Sequence, residues 1–396
     1  MSKEDSPFVE NTNREENMKK TLSCALFLTV ILASVIVNAD TSVGPNQEIL
    51  LDGKPFFPIM VWLQPTKNIA MHKELGINTF SGHGANGESP KDYLDACEKA
   101  GVYAAVSADS IGVDEVKKLK DHKALLFWWM PDEPDQMSNE KKGPAHSPDE
   151  IIAIYKKVKA IDTKHIVGCT FTTFQAQGSP QIRSSYFPQY MPGMDMIGFD
   201  TYPVSDGRPE RLDLMAKGMQ ILNKYDKGSK PHFVWVENTK IHDKKGRAPT
   251  PYEMRAQIWM CVVHGARSIG YFPHSWDNGK YSQSRIPEDL KSEMRRVNKQ
   301  LTDLGAVITS ATSKIEVTAE TKDDSSVDTL VKEGDGKVYI FTSNRKNKPG
   351  ETVFTVKGLA AGEVEVYGEG RKLNMAGGKF TDKFKEFEPH IYVIKK

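Results

Sequence analysis

The chain has 396 residues with 53 basic and 52 acidic side chains, a formal net charge of +1. So even a balance sets up no field that would steer the whole molecule toward nucleic acid or an anionic membrane surface, and partners must be sought at a local site. The length suits one barrel of about 250 residues with a smaller domain beside it.

Residues 1–39 stand apart from the rest. A charged stretch, MSKEDSPFVENTNREEN, precedes MKK, the charge-free TLSCALFLTVILASVIV and NAD, with Val37 and Ala39 as the small residues before a cleavage point. This order of features predicts a secretory signal peptide starting at Met18, hence a secreted or periplasmic protein with no membrane partner after cleavage. The alternative is an uncleaved anchor, for which the apolar stretch is barely at the minimum of about 17 residues. Cys24 leaves with the leader. The widely spaced Cys97, Cys169 and Cys261 form neither a disulfide framework nor a zinc-binding pair, and each reads as a small core residue.

From residue 55 to about 305 short β-rich apolar runs alternate with stretches of helical period, which marks βα units around a parallel sheet buried on both faces. The predicted strands are PFFPIMVWL (55–63), NTFSGH (78–83), VYAAVSA (102–108), LLFWWM (125–130), HIVGCTFTT (165–173), MDMIGFDTY (194–202), PHFVWVEN (231–238) and SIGYFPH (268–274). Helices are predicted after Ser89-Pro90, Ser147-Pro148 and Thr250-Pro251, where a hydroxyl caps the first turn, and a last one near 286–305. Eight such units predict a (β/α)8 TIM barrel over 40–305 rather than a doubly wound sheet; no GxGxxG or GxxxxGK[ST] follows any strand. After residue 306 the period changes to two, in KIEVTAE, TLVKEGDGKVYIFTS, ETVFTVKG, EVEVYGEG and HIYVIKK, and predicts a small C-terminal antiparallel β-sandwich over 306–396. All six tryptophans precede it, so it reads as a buttress rather than a sugar-stacking module.

Active sites of such barrels form at the carboxyl ends of the strands. Strand four ends in Asp132-Glu133, strand six in Asp200 and Tyr202, strand seven in Glu237-Asn238, and strand eight in His274 with Trp276 beyond. Two glutamates from strands four and seven suggest the carboxylate pair that glycosidic bond cleavage requires. No HExxH or GxSxG supports a competing hydrolytic chemistry, and no metal or cofactor is expected. Sugar rings stack an apolar face on aromatics, so Trp62, Trp129, Trp235, Trp276 and Tyr202 are candidate substrate binders, with His83, His274, Asp132 and Asp200 as polar partners. Trp128 and Trp259 read as core, and Asp135 as a solvated loop charge or a helix cap.

Together, LLDGKPFFPIMVW, MPDEPD, VWVEN and the tryptophan after strand eight resemble glycoside hydrolase clan A, the retaining (β/α)8 glycosidases, over roughly residues 48–305. That resemblance implies Glu133 as acid/base, Glu237 as nucleophile and Tyr202 beside the nucleophile. It departs from the clan at Asp132, where asparagine is usual. An Asp-Glu pair there is also a mark of substrate-assisted N-acetylhexosaminidases, in which the aspartate orients the substrate's acetamide. Outside the enzymes, a non-catalytic carbohydrate-binding barrel would keep the aromatics without needing both glutamates.

Overall fold

The computed structural model describes residues 39–108, 112–138, 140–141, 143–172 and 186–396. The expected leader, apart from Ala39, lies outside the described residues, as do Cys24 and Thr173, the last residue of the expected fifth strand. Among the described residues no helix is long and apolar enough to cross a membrane.

Eight parallel strands close into a barrel: β1 (Ile59–Trp62), β2 (Thr79–Ser81), β3 (Tyr103–Ser107), β4 (Leu125–Trp129), β5 (Ile166–Phe171), β6 (Met196–Asp200), β7 (His232–Glu237) and β8 (Ala266–Phe272). Each pairs with its neighbours in the chain, and β8 returns to β1. Around them run α1 (Ile69–Glu74), α2 (Pro90–Ala100), α3 (Gly112–Leu119), α4 (Pro148–Lys159), α5 (Asp213–Asp226), α6 (Pro251–Val263) and α7 (Glu288–Thr309), and residues 186–190 are also helical. The hydroxyl caps form as the sequence predicts: Ser89, Ser147 and Thr250 each accept from the amide three residues on, which satisfies a donor the helix leaves open.

The barrel interior is aromatic. Phe127 and Trp129 of β4 and Phe233 and Trp235 of β7 point inward with Met60, Ala105 and Met196, while Trp128 points outward and donates to Asp162 Oδ2 at 2.7 Å. Three glycines make room for these rings. A Cβ on Gly168 would lie 2.3 Å from Trp129, one on Gly198 2.3 Å from Phe233, and one on Gly270 2.2 Å from Trp235. The ring on one strand thus fills the space its neighbour leaves empty.

The end of the barrel where the strands begin is closed by three short antiparallel strands, Thr41–Val43, Ile49–Leu51 and Lys54–Phe56. Ile49 is buried in the inner cluster, and Thr41 Oγ1 both donates to Leu126 O at 3.0 Å and accepts from Ile166 N at 2.9 Å. Only the carboxyl ends of the strands are left to form a mouth.

The C-terminal region has eight antiparallel strands: β9 (Val317–Thr321), β10 (Val327–Gly334), β11 (Lys337–Asn344), β12 (Gly350–Val356), β13 (Ala361–Val366), β14 (Arg371–Ala376), β15 (Lys379–Phe384) and β16 (Pro389–Lys395). The two layers expected of a sandwich belong to one continuous sheet, ordered β9-β12-β15-β14-β13-β16-β11-β10, that folds around its own apolar core. It packs against α6, where Trp259 stacks on Phe341 with ring centroids 6.0 Å apart.

Candidate active site

The apolar run 125–130 delivers its acids by leaving the ladder. Met130 N still donates to Gly168 O at 2.9 Å, Pro131 has no amide to give, and Glu133 N then reaches Thr170 O at 3.1 Å. Glu133 takes a left-handed backbone, φ 46°, a conformation that carries a cost of order 1 kcal/mol for a residue with a side chain. The turn is held down on β5. Asp135 accepts from both Thr172 N (2.9 Å) and Thr172 Oγ1 (2.8 Å), and Tyr190 Oη donates to His146 O at 2.5 Å. Asp135 is therefore a buried anchor, which corrects its reading as a solvated charge: its carboxylate finds two donors in the protein that water would otherwise supply.

Held this way, Glu133 interacts with Asp200, the last residue of β6. Gln136 Nε2 also donates to Glu133 Oε2 at 2.9 Å. Burial raises the Glu133 carboxyl above its ordinary value, against the lowering effect of Asp200. Asp200 is pushed well above the carboxylate range, first by burial and then by the charges of Glu133, Asp132 and Asp135. Two residues further on, burial raises the Tyr202 phenol, and so do Asp200, Asp132, Glu133 and Glu237 in turn. The charges of four acids from three strands thus act on one tyrosine. Asp132 is exposed beside them, while Glu133, Asp200 and Tyr202 are partly buried.

Glu237 faces elsewhere. Its phase along β7 is inward, with Phe233 and Trp235, but its side chain has no exposed surface. Oε1 accepts from Val204 N (2.9 Å) and Gln257 Nε2 (3.2 Å), and Oε2 accepts from Ser205 N (2.7 Å). Burial pushes its carboxyl up to about 7 in spite of these donors. Both oxygens pin the turn that follows β6, so the residue expected as nucleophile has no exposed surface in this structure and is held by three donors.

The aromatics divide by depth. Trp129 and Trp235 are each 2% exposed and lie beneath the mouth, so both are core and not substrate contacts. Trp62 packs edge-on over Trp235 at 5.1 Å and is half-buried, and Tyr202 lies against Phe272 at 5.1 Å. Above them a hairpin closed by mutual hydrogen bonds between Ser275 and Ser282 holds Trp276 and Tyr281 side by side, 5.2 Å apart and 45% and 54% exposed. His274 is buried behind this pair. Burial lowers its pKa, so the ring is neutral; Nε2–H donates to Trp62 O (3.0 Å), which leaves Nδ1 to accept from Tyr281 Oη (2.8 Å). Both nitrogens are used by the protein, so His274 orients Tyr281 rather than binding a hydroxyl itself. His83 is half-buried in the loop after β2. Tyr281 went unnoticed in the sequence, where its one signal is an aromatic five residues past Trp276 at the other end of a short polar loop. Among the described residues no group of three His, Cys, Asp or Glu is arranged to hold a metal ion.

A (β/α)8 barrel with acids and aromatics at its carboxyl-end mouth, followed by a β domain, is an architecture found among glycoside hydrolases. The structure superposes on a catalytic mutant of Gan42B, a GH42 β-galactosidase from G. stearothermophilus, with TM-score 0.59 and 9% identity over 86% of this chain and 98% of that one. It also superposes on the α-amylase of Geobacillus thermoleovorans, solved with acarbose, with TM-score 0.55 and 10% identity over 90% and 95% of the two chains. An Anoxybacillus α-amylase gives TM-score 0.54 and 10% identity over 89% and 93%. At such identities the likeness is one of fold. No protein-family model matches the sequence, and a comparison with curated protein sequences finds no match.

Proposed function

We propose that the protein is an exported glycoside hydrolase acting on a poly- or oligosaccharide, with Glu133 as the acid that protonates the leaving oxygen and then as the base. One observation carries this reading: Asp132 and Glu133 after β4, and Asp200 and Tyr202 at the end of β6, stand at the carboxyl ends of the barrel strands where their charges act on one another, with the exposed pair Trp276 and Tyr281 after β8 at the same end. A glycosidic bond breaks through an oxocarbenium-like transition state, which a cluster of carboxylates favours, while the aromatic rim offers faces for the apolar side of a sugar. Burial raises the Glu133 carboxyl, as a proton donor at neutral pH requires. The leader-like stretch 18–39 supports export, and the resemblance of MPDEPD and VWVEN to clan A supports β-linkages and retention.

Two routes give a retained product. In double displacement Glu237 attacks the anomeric carbon, and for this Oε2 must leave Ser205 N. In substrate-assisted cleavage Asp132 orients the acetamide of an N-acetyl sugar, and Glu237 stays where it is. The exposure of Asp132 beside Glu133, set against the complete burial of Glu237, favours the second route.

A panel of aryl β-glucoside, β-galactoside and N-acetyl-β-glucosaminide tests both levels of the proposal. Glu133→Gln is expected to lower kcat by about 10²–10⁴ on a substrate with a poor leaving group; full turnover by this variant refutes the assignment. Preference for the N-acetyl sugar, lost in Asp132→Ala, supports the assisted route. Azide rescue of Glu237→Gly supports double displacement in its place. Oligosaccharide binding without turnover by the parent protein would mark a carbohydrate-binding barrel.

A further inference from the structure

We propose that Trp276 and Tyr281 form a preorganised platform for a neutral oligosaccharide, on which the sugar units next to the one at the acids lie by stacking. This rests on the reading of the mouth as a carbohydrate site, and it extends that site outward along the loop after β8.

Aromatic rings run from the acids to this loop. Tyr202, two residues past Asp200, lies 5.1 Å from Phe272, the last residue of β8; Phe272 lies 6.4 Å from Trp276, and Trp276 lies 5.2 Å from Tyr281. The ring planes at these three steps are inclined by 36°, 22° and 39°. Exposure increases outward, for Tyr202 and Phe272 are half-buried while Trp276 and Tyr281 are 45% and 54% exposed. A sugar seated beside Tyr202 therefore leaves the outer two rings to its neighbours in a chain.

The outer pair is also held in place. The hairpin turns at Asn278 and Gly279, both left-handed with φ 56° and 66°, and three neighbouring loops fasten its base. From the loop after β7, Ile241 O accepts from Trp276 N at 2.9 Å, and Lys240 pairs with Asp277 at 2.7 Å. From just beyond β1, Gln64 Nε2 donates to Gln283 O at 2.6 Å, and Gln283 Nε2 in turn donates to Ala85 O after β2 at 2.8 Å. His274 is a positioning residue in this arrangement. Because Trp62 O can only accept, the proton is on Nε2, and the Tyr281 hydroxyl is bound at Nδ1. The phenol thus commits its hydroxyl inside the protein and turns its ring to solvent. Two adjacent rings left in water add nothing to the core, and fixing them in advance removes an ordering cost that a ligand would otherwise meet.

The chemistry of the occupant follows. A pyranose carries C–H groups on a face that packs against aromatic carbon. Asp277 on the hairpin is already paired with Lys240 and Arg285, and the acids Asp132, Glu133 and Asp200 at the mouth disfavour a uronate or sulfated chain.

Titration calorimetry with cello- and N-acetylchito-oligosaccharides, from the monosaccharide to the hexasaccharide, tests this in the Glu133→Gln background. Affinity should rise with chain length, and Trp276→Ala and Tyr281→Ala should each remove roughly three- to tenfold of that gain, the fold-change that one aromatic contact carries. Trp276→Phe keeps a ring face and should keep most of the gain. Tyr281→Phe, which loses only the bond to His274, should fall between the parent and Tyr281→Ala. Equal affinity for long chains with and without the two rings, or no gain with length in either series, overturns the proposal. So does sedimentation that finds a dimer dissociated by Trp276→Ala, since the rings would then be a contact between two copies of the chain. A gain with length that is lost in the alanine variants, together with no turnover by the parent, would keep the platform and discard the glycosidase assignment.

Discussion

At the scale of single residues, Glu237 shows how far a strand pattern carries. The run FVWV placed it at the end of β7, which the structure repeats. Which way the carboxylate turns depends on the amides of Val204 and Ser205, more than thirty residues earlier in the chain, and no spacing in the sequence brings those two amides to it. Asp135 is a similar case, since its partner Thr172 lies at the far end of the next strand. Three donors on one buried carboxylate make Glu237→Gln a sharp test. The amide keeps one acceptor oxygen and turns an N–H2 group toward a backbone N–H that then has no partner. An unsatisfied buried group costs about 1–3 kcal/mol, so urea denaturation should find the variant less stable by that amount. A variant as stable as the parent would mean that the carboxylate faces the mouth after all.

At the scale of elements, the eight barrel strands were legible because strands covered on both faces must be apolar throughout, and the capped helices because a hydroxyl before proline leaves a local mark. The order of strands in the C-terminal sheet was not. Period two identifies β16 as a strand, but that it lies between β11 and β13 is settled by tertiary packing. The same packing makes β16 sensitive to pH. His390 on this strand is 5% exposed and sits between Glu369 (2.5 Å) and Glu388 (3.6 Å). Burial alone would lower its pKa, yet the two carboxylates prevail and raise it to about 9. A histidine held more tightly protonated in the folded chain stabilises fully below its unfolded value of 6.5 and loses that contribution as pH rises through about 9. The melting temperature should therefore fall between pH 6.5 and 9 in the parent, and fall less steeply in His390→Gln. Parallel curves for the two proteins would show that the pair contributes nothing.

At the scale of the whole molecule, the β domain is joined to the barrel through a shared core rather than by a tether. Tyr339, Phe341, Phe387, Ile391 and Val393 belong to the same buried cluster as Trp259 of α6 and Leu301 of α7, and Tyr252 Oη donates to Glu386 O at 2.5 Å. Helix α6, the next element after β7 beyond the loop 238–250, carries Gln257, which holds the Glu237 carboxylate, so this packing backs the strand and turn that position Tyr202. Phe341 is the point to probe, because it is fully buried and stacked on Trp259. Phe341→Ala should cost about 3–5 kcal/mol, the usual range for a large aromatic removed from a core. All six tryptophans lie in the barrel, and only Trp259 among them is stacked on the substituted ring, so the other five report on the barrel although the substitution is in the β domain. If the two share one core, tryptophan fluorescence and far-UV circular dichroism will move together to a lower melting temperature in a single transition. A fluorescence transition that stays at the parent temperature, with only part of the dichroism signal lost early, would show that the barrel stands without its buttress.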